Sequence, residues 1–318
     1  INDLPVRPDW YEETADNDKD VVFLDELDPD DLLVGGPALL IAANVADGVL
    51  LDLPPQYVGG VEGDDDGDGV KNGDEDDDGD GVKNRDDTDR DGDGIPDAAE
   101  GAASVTSYGS APAIQIGSDS RDITLGVVGV GDEAYGFINR GTVSAQGLYD
   151  GFDATAMLIG GASGQTVTID GGFRNEGTIG AVGKEANAVG VHFAAGASSP
   201  EFYNTGSVTA GIRSEEAAAN GAAIRIDGGA SVPVLINEGA IQAASAGGVA
   251  SVTAIQDLSG DLTTIVNRRI IQASVAANAD GDPVTGEAVA LDLAANTSGV
   301  NVLQEGIQDD PGSKRPDA

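Results

Sequence analysis

Three short runs in the first third of the chain repeat the pattern Asp-x-Asp-x-Asp-Gly. They begin at Asp64, Asp76 and Asp89, so successive runs start 12 and 13 residues apart. Alternate carboxylates followed by a glycine, which permits a sharp turn, are the means by which a 12-residue loop surrounds a hard cation with oxygen ligands. The glycines at the sixth position of the three loops are Gly69, Gly81 and Gly94.

The spacing predicts one calcium site in each loop, with about three Ca²⁺ ions in all. Ca²⁺ takes 6–8 oxygen ligands, which a 12-residue loop supplies from positions 1, 3, 5, 7, 9 and 12. An apolar residue recurs at position 7 of all three loops, which favours a true repeat over chance. The predicted ligands are Asp64, Asp66, Asp68, the Val70 carbonyl, Asn72 and Glu75; Asp76, Asp78, Asp80, the Val82 carbonyl, Asn84 and Asp87; and Asp89, Asp91, Asp93, the Ile95 carbonyl, Asp97 and Glu100.

A solvated acidic linker is the alternative interpretation of this segment. Residues 61–100 hold 18 acidic and 4 basic side chains, and without a cation their repulsion predicts disorder. No amphipathic helices flank the loops, so paired helix-loop-helix sites are not expected. The close spacing with shared acidic residues resembles thrombospondin type 3 repeats, which implies an extended strut stiffened by a row of ions. The cysteines of that family are missing here, so calcium alone would supply the rigidity.

Composition excludes several classes of protein. A formal charge of −40 leaves nothing to neutralise a phosphate backbone, so no nucleic-acid partner is expected. The chain has no cysteine and therefore no disulfide or thiolate site. Glycine is abundant and aromatic residues make up only 4% of the chain, as suits a repetitive β architecture. The apolar stretch over residues 34–53 is interrupted by glycine, proline and aspartate, so no transmembrane segment is predicted.

Beyond residue 110 the phrase apolar-x-Asn-x-Gly-x-apolar recurs at irregular intervals of 29–36 residues. An alternating apolar strand precedes the copies, and a constant 13 residues separate Val191 from Asn204 and Ile224 from Asn237. A constant offset inside a variable period indicates fixed rungs joined by loops of different length. Asparagine at a recurring turn tolerates left-handed backbone geometry, and its amide can form a ladder with its neighbours. The polar positions are Asn139, Asn175, Asn204, Asn237, Asn267 and, in a last degraded copy, Gln304.

These repeats predict an all-β fold, a right-handed parallel β-helix (β-solenoid) with an extended calcium-binding loop segment and an interior of Val, Ile, Leu and Ala. Residues 38–51 repeat the pattern of residues 290–302, which favours a solenoid that begins near residue 32, with the calcium segment as an excursion from one coil. A separate N-terminal strand that packs elsewhere is the alternative. The predicted organisation is an acidic arm over 1–31, first solenoid strands over 32–60, calcium repeats over 61–101, the β-solenoid over 102–308 and a tail over 309–318.

The Asn-x-Gly-x-Ile/Val phrases, short apolar strands and Gly-rich loops of residues 110–308 resemble the β-helical passengers of bacterial autotransporters and haemagglutinin-type adhesins. The resemblance implies an extracellular protein, or one on the outer surface of a Gram-negative bacterium. Calcium loops of this carboxylate-rich type agree with that location, because extracellular modules work at ~10⁻⁴–10⁻³ M Ca²⁺.

No catalytic site is predicted. His192, the only histidine, alternates with Val191 and Phe193 and is expected to point outward into solvent. Asp170 and Asp227 are each followed by two glycines and are expected to form turns. Paired carboxylates can cleave glycosidic bonds, but the aromatic residues that usually accompany such sites are scattered.

We therefore expect a secreted, calcium-binding structural protein of the cell surface that self-assembles as a homo-oligomer or polymer into a filament, sheath or surface layer. An adhesin that acts as a single β-helical rod and binds a cell-surface or host ligand is the alternative. A polysaccharide-active β-helix enzyme is a third possibility. Self-assembly predicts a repeating lattice on cells, whereas a lone adhesin does not.

Overall fold

A computed structural model describes residues 35–52, 60–64, 69–77, 79–90, 101–161, 164–278 and 280–305. The predicted arm over 1–31 and tail over 309–318 lie outside these ranges. The chain divides into two compact units, of which one comprises Leu51–Ala103 and the other the residues before and after it. The larger unit is a β-solenoid, and the smaller contains the acidic loops.

Strands dominate the larger unit, and they are short. In chain order they are β1 (Leu39–Ile41), β2 (Val49–Leu51), β3 (Ser104–Tyr108), β4 (Ile114–Ile116), β5 (Ile123–Leu125), β6 (Phe137–Asn139), β7 (Thr142–Asp150), β8 (Ala154–Ile159), β9 (Val167–Ile169), β10 (Phe173–Asn175), β11 (Thr178–Lys184), β12 (Ala188–Phe193), β13 (Ala197–Ser198), β14 (Glu201–Asn204), β15 (Ser207–Arg213), β16 (Asn220–Ile226), β17 (Val234–Asn237), β18 (Ala240–Gly247), β19 (Ser251–Asp257), β20 (Thr264–Asn267), β21 (Ile270–Ala277), β22 (Ala288–Asp292) and β23 (Asn301–Gln304). The described helical segments are 3-10 turns at Gly60–Glu62, Asn72–Asp74 and Gly131–Glu133, and none is long or apolar enough to cross a membrane.

The strands form four sheets in which each strand pairs with its counterpart in the next coil. Sheet I has the order β1-β4-β8-β12-β16-β19-β22, sheet II β2-β6-β10-β14-β17-β20-β23, sheet III β3-β7-β11-β15-β18-β21, and sheet IV β5-β9-β13. The registered pairs are parallel, as in β12 with β16 and β14 with β17. The result is a β-solenoid of about five turns, which confirms the predicted fold class. Its handedness stays a prediction.

The register of the sheets matches the repeats found in the sequence. Val191 pairs with Ile224 in sheet I, and Asn204 pairs with Asn237 in sheet II. The constant offset of 13 residues therefore measures one fixed path from sheet I to sheet II. In sheet I one continuous column of paired residues runs from the first strand to the last, through Leu39, Ile114, Met157, Val191, Ile224, Ile255 and Leu291.

A ladder of buried amides runs along the end of sheet II. At every step the Nδ2 group donates to the side-chain oxygen of the next coil at 2.7 Å, from Asn139 through Asn175, Asn204, Asn237 and Asn267 to Gln304. The five asparagines are buried. The amide ladder is as predicted, but the expected left-handed backbone is not, because Glu185 is the sole described non-glycine residue with positive φ. Asparagine is suited to this position by its amide and not by its backbone preference.

Four of the six phenylalanines of the chain lie together in the interior. Phe137, Phe173 and Phe202 pair in successive coils of sheet II, with ring centroids 4.8 Å and 5.1 Å apart. Phe193 of sheet I meets the last two rings edge-on. Around this stack the interior is built from Ile, Val, Leu and Ala, as predicted. Parallel strands paired in register thus bring identical side chains together in successive coils.

The corner between sheets II and III is tight because the Asn-x-Gly phrases stack on one another. After Gly177, Gly206 and Gly239, the N–H of the next residue donates to the glycine carbonyl of the preceding coil, as from Ser207 to Gly177 at 2.8 Å. A Cβ atom built on Gly206 would lie 2.0 Å from the Gly177 oxygen. In the first coil, the chain between β2 and β3 instead includes the smaller unit. Its ends meet there, because the Ala103 N–H donates to the Asp52 carbonyl at 2.8 Å.

Glu185 fastens one coil to the next where sheet III leads back to sheet I. Its carboxylate accepts the Ser214 hydroxyl at 2.6 Å and the backbone N–H groups of residues 215–217 at 2.7–3.2 Å. Burial alone would raise the pKa of Glu185, but these hydrogen bonds outweigh burial and lower the pKa to about 2. The ionised carboxylate is therefore a structural part of the corner.

We expect Glu185→Gln to lower the stability of the solenoid at neutral pH, because the neutral amide accepts these hydrogen bonds less strongly. Because the pKa of Glu185 is lower in the folded state, its carboxylate stabilises the fold above the unfolded pKa of 4.5. This stabilisation is lost as the pH falls through about 2. The difference in urea midpoint between wild type and variant should therefore shrink from pH 4.5 downward and vanish near pH 2. Glu216→Gln, at an exposed position in the same corner, should show no such convergence.

Candidate functional site

The first candidate site is the acidic unit, where the structure describes ten of the 18 predicted calcium ligands. These are Asp64, Val70, Asn72, Glu75, Asp76, Asp80, Val82, Asn84, Asp87 and Asp89. The other predicted ligands, namely Asp66, Asp68, Asp78, Asp91, Asp93, Ile95, Asp97 and Glu100, lie outside the described residues. The third loop is therefore described only at its beginning.

The first two loops share the same local geometry. The Gly69 N–H donates to Asp64 Oδ2 at 3.1 Å, and the Gly81 N–H donates to Asp76 Oδ2 at 3.0 Å. Both glycines have positive φ, at 92° and 95°. The sharp turn at the sixth loop position thus exists in both loops, and it requires glycine. Gly94 of the third loop is outside the described ranges.

The asparagines at the ninth loop position connect successive loops. Asn72 and Asn84 are 1% and 3% exposed. The Asn84 Nδ2 group donates to the Asn72 carbonyl at 2.7 Å, and Asn84 Oδ1 accepts the Asp77 N–H at 3.0 Å. Asn84 therefore holds the backbone of both loops. Its predicted role as a ligand would use the remaining lone pair of the same oxygen.

Three basic side chains of the unit, Lys71, Lys83 and Arg85, pair with carboxylates that are not predicted ligands. Lys71 binds Glu62, while Lys83 and Arg85 bind Asp74 at 3.0 Å and 2.9 Å. The hydrogen bond from Lys71 lowers the pKa of Glu62, and that from Lys83 lowers the pKa of Asp74. Both acid–base pairs span nine residues, so the ion pairs repeat with the loops. The lysines thus leave the Asp-x-Asp-x-Asp positions to other partners.

Calcium binding itself stays a prediction. Within the described ranges, no three acidic or histidine side chains converge closely enough to hold a metal ion. The predicted coordination spheres each include residues outside those ranges, so the loop geometry and the placement of the lysines are the observations that fit a cation. Carboxylate and carbonyl oxygens are the donors that Ca²⁺ prefers.

The second candidate site is a groove of about 430 Å³ on the outer face of sheet I. It crosses strands β8, β12, β16 and β19, where two rows of side chains point outward. Two consecutive buried residues separate the rows in each strand, for example Gly190 and Val191 between Val189 and His192. One row contains Thr155, Val189, Ala222 and Thr253; the other includes His192, Arg225 and Gln256.

A hydrogen-bonded cluster lies in this groove. His192 Nε2 is 2.8 Å from Asp227 Oδ2, and the Arg225 Nε–H donates to Asp227 Oδ1 at 2.7 Å. Burial alone would raise the pKa of Asp227, but the hydrogen bonds from Arg225 and His192 hold that pKa below its usual value. Asp227 therefore remains a carboxylate whose charge is largely balanced by the guanidinium.

The cluster differs from what the sequence indicated. His192 does point outward, but only 20% of its side chain is exposed and it has a carboxylate partner. Asp227 does more than form a turn, since it connects β12 with β16. The signal in the sequence was the spacing of the repeats, which places His192 beside Arg225, with Asp227 two residues further on.

Polar side chains at the start of the same strands form one rim of the groove. Asp153 Oδ1 accepts the N–H and the Nδ2–H of Asn187 at 2.9 Å and 3.1 Å. The Asn220 N–H in turn donates to Asn187 Oδ1 at 2.8 Å. Each side chain thus caps the strand of the next coil. Asp153 and Asn187 are thus both held by hydrogen bonds to the backbone of the next coil.

No protein-family model, no curated protein and no solved structure matches the chain. The resemblances to thrombospondin type 3 repeats and to autotransporter passengers therefore have no support from a family model. The parallel β-solenoid rests on the strand pairing described above.

Proposed function

We propose that this chain is a secreted, calcium-binding structural protein of the cell surface that self-assembles into a filament, sheath or surface layer. The observation that carries the proposal is the open coil formed by β21, β22 and β23. These are the last strands of sheets III, I and II among the described residues. Strand edges of this kind pair readily with another chain.

The side chains of this coil support a partner that continues the solenoid. Val302 and Leu303 are 48% and 47% exposed, whereas Ile265, which pairs with Val302 in the preceding coil, is fully buried. Gln304 accepts the last hydrogen bond of the amide ladder, and its own Nε2 group has no partner among the described residues. A second copy stacked on this coil would bury the apolar side chains and extend the sheets. Because the two ends of a solenoid differ, such stacking is head to tail and produces an open filament.

Calcium is the second component of the proposal. With a net charge of −40, copies of the chain repel one another at low ionic strength. About three Ca²⁺ ions bound to the loops would remove part of that charge and hold the loops in one conformation. The carboxylate-rich loops, of a type that works at ~10⁻⁴–10⁻³ M Ca²⁺, and the resemblance of the repeats to autotransporter passengers both support the proposed extracellular location.

An adhesin that acts as a single rod is the second candidate. The groove on sheet I favours it, because a polar groove with a fixed rim is not needed for assembly. The two candidates differ in the state of the chain in solution.

Molar mass measured by light scattering on a sizing column, with millimolar CaCl₂ and with EGTA, tests the proposal. We expect large species in calcium and monomers in EGTA. The triple variant Asp66→Ala, Asp78→Ala, Asp91→Ala should lose calcium affinity and remain monomeric in both buffers. A matched triple variant, Asp65→Ala, Asp77→Ala, Asp86→Ala, removes the same charge from non-ligand positions and should behave as wild type.

Two other results would contradict parts of the proposal. A wild-type monomer in both buffers would exclude self-assembly and favour the adhesin rod. Unchanged calcium affinity in the Asp66, Asp78, Asp91 variant would exclude the loops as the calcium sites. Val302→Glu should abolish the large species without changing calcium affinity, since it places a charge in the open coil.

A further inference from the structure

Arg225 is the one strongly basic side chain that lines the groove on sheet I. Its Nε–H is used by Asp227, but its two terminal amino groups have no partner among the described residues. The side chain is 38% exposed. A guanidinium with free terminal N–H groups can bind a carboxylate through two parallel hydrogen bonds. The groove therefore offers a specific site for a ligand carboxylate.

Arg225 suits a ligand carboxylate through its free terminal N–H groups and not through net positive charge, because Asp227 balances the charge of the guanidinium. Asp227 is engaged on both oxygens, by Arg225 and by His192. The carboxylate of the lining, Asp153, lies at the rim with one oxygen bound to Asn187. On a chain with a net charge of −40, most of the surface repels anions. A ligand with few and spaced carboxylates is thus favoured over a densely charged one.

Four further polar side chains of the groove are available to a ligand. The hydroxyl groups of Thr155 and Thr253 and the amides of Asn220 and Gln256 have no side-chain hydrogen bond among the described residues. They lie on strands β8, β16 and β19. Neighbouring strands are about 4.8 Å apart, so a ligand that lies across the strands meets a new set of donors and acceptors at every coil. Repeated hydroxyl groups along a chain fit this arrangement.

We propose that the groove on the outer face of sheet I binds an acidic oligosaccharide, with the carboxylate of a uronic acid unit on Arg225 and the sugar hydroxyls on Thr155, Asn220, Thr253 and Gln256. A nucleic acid needs many cations, and the groove supplies one. An extended peptide binds best at a free strand edge, whereas β12 and β16 are paired on both sides. The proposal is independent of self-assembly and of the calcium loops.

Isothermal titration calorimetry of the full chain with a hexamer in which uronic acid units alternate with neutral sugars tests the site, with a neutral glucose hexamer as the reference ligand. We expect the acidic hexamer to bind at least ten times more tightly than the neutral one. Both titrations are repeated in EGTA, because Ca²⁺ could bridge uronates to the acidic loops. Binding that persists in EGTA supports the groove, and binding that disappears there overturns the proposal.

Variants locate the site. Arg225→Gln should weaken binding of the acidic hexamer at least tenfold. Val189→Trp, which fills the floor and leaves the Arg225–Asp227–His192 cluster in place, should abolish it. Arg140→Gln is the matched control, since Arg140 is an outward arginine of similar exposure that is paired with Glu176, and it should bind as wild type. Absence of binding by wild type, equal affinity for both hexamers, or equal losses from Arg225→Gln and Arg140→Gln would overturn the proposal.

Discussion

Replacing Asn204 by leucine is expected to cost the solenoid about 2–6 kcal/mol of unfolding free energy. Asn204 is fully buried in the middle of the amide ladder. It accepts from Asn175 and donates to Asn237, both at 2.7 Å. Leucine has nearly the same size but no amide, so the change leaves one donor on Asn175 and one acceptor on Asn237 without their ladder partners. Each buried polar group left in this way costs about 1–3 kcal/mol.

Asn139 provides the control for this prediction, because it is the first member of the ladder. It donates to Asn175, but its own Oδ1 atom is buried and has no partner among the described residues. Asn139→Leu therefore removes the hydrogen bond that Asn175 accepts, but the Oδ1 atom it also removes had no partner. The loss of unfolding free energy should be about half that of Asn204→Leu. Urea unfolding followed by far-ultraviolet circular dichroism in saturating calcium measures both. Equal losses from the two variants would show that the ladder is not the source of the effect.

Gly206→Ala is expected to destabilise the solenoid by about 3 kcal/mol, the upper end of the usual cost of overpacking. The added Cβ would lie 2.0 Å from the Gly177 carbonyl oxygen, which belongs to backbone and cannot rotate away. The neighbouring coils would have to separate at the corner. Gly177 and Gly239 are in the same situation, with the nearest carbonyl oxygen at 2.1 Å and 2.0 Å.

Gly211→Ala, in strand β15 directly after this corner, is the matched control. A Cβ there finds its nearest atom at 3.7 Å, so we expect no loss and a gain of up to about 1 kcal/mol from the stiffer unfolded chain. Urea midpoints compare the two variants directly. If Gly206→Ala were as stable as Gly211→Ala, the corner would have to be looser than described.

One corner of the chain already has a larger residue at the position of the corner glycine. The corner after Asn267 has Arg269 where the earlier corners have glycine. The Ile270 N–H reaches the Gly239 carbonyl at 3.2 Å, whereas the corresponding distances in the three preceding corners are 2.8–2.9 Å. A side chain at this position is thus accompanied by a longer contact between coils.

The solenoid was predictable because its repeats follow directly from strand pairing. Asn204 and Asn237 were assigned to equivalent places from spacing alone, and the sheets pair them. The alternation of inward and outward residues was less predictable. Two adjacent buried residues, such as Gly190 and Val191, interrupt it in strands β8, β12, β16 and β19 of sheet I, and small side chains at that point give no periodic signal.

The candidate sites were predictable to different degrees. The turns at Gly69 and Gly81 were predictable, because a glycine that recurs at one loop position indicates a backbone with positive φ. The buried connection between Asn72 and Asn84 was not, because an asparagine in an acidic loop looks the same whether it faces an ion or a backbone carbonyl. The residues His192, Asp227 and Arg225 come from two coils. Their contact can be inferred only once the pairing register of β12 and β16 is known.

The hydrogen bond between Ala103 and Asp52 has a consequence for how such a chain can change over evolutionary time. It closes the base of a 50-residue excursion at a turn where other coils need only two residues between their strands. Because the ends meet, the segment between Asp52 and Ala103 can change in length and sequence without displacing the strands on either side. The first coil thus offers an insertion site where one segment can replace another during evolution, and where a foreign domain can be grafted.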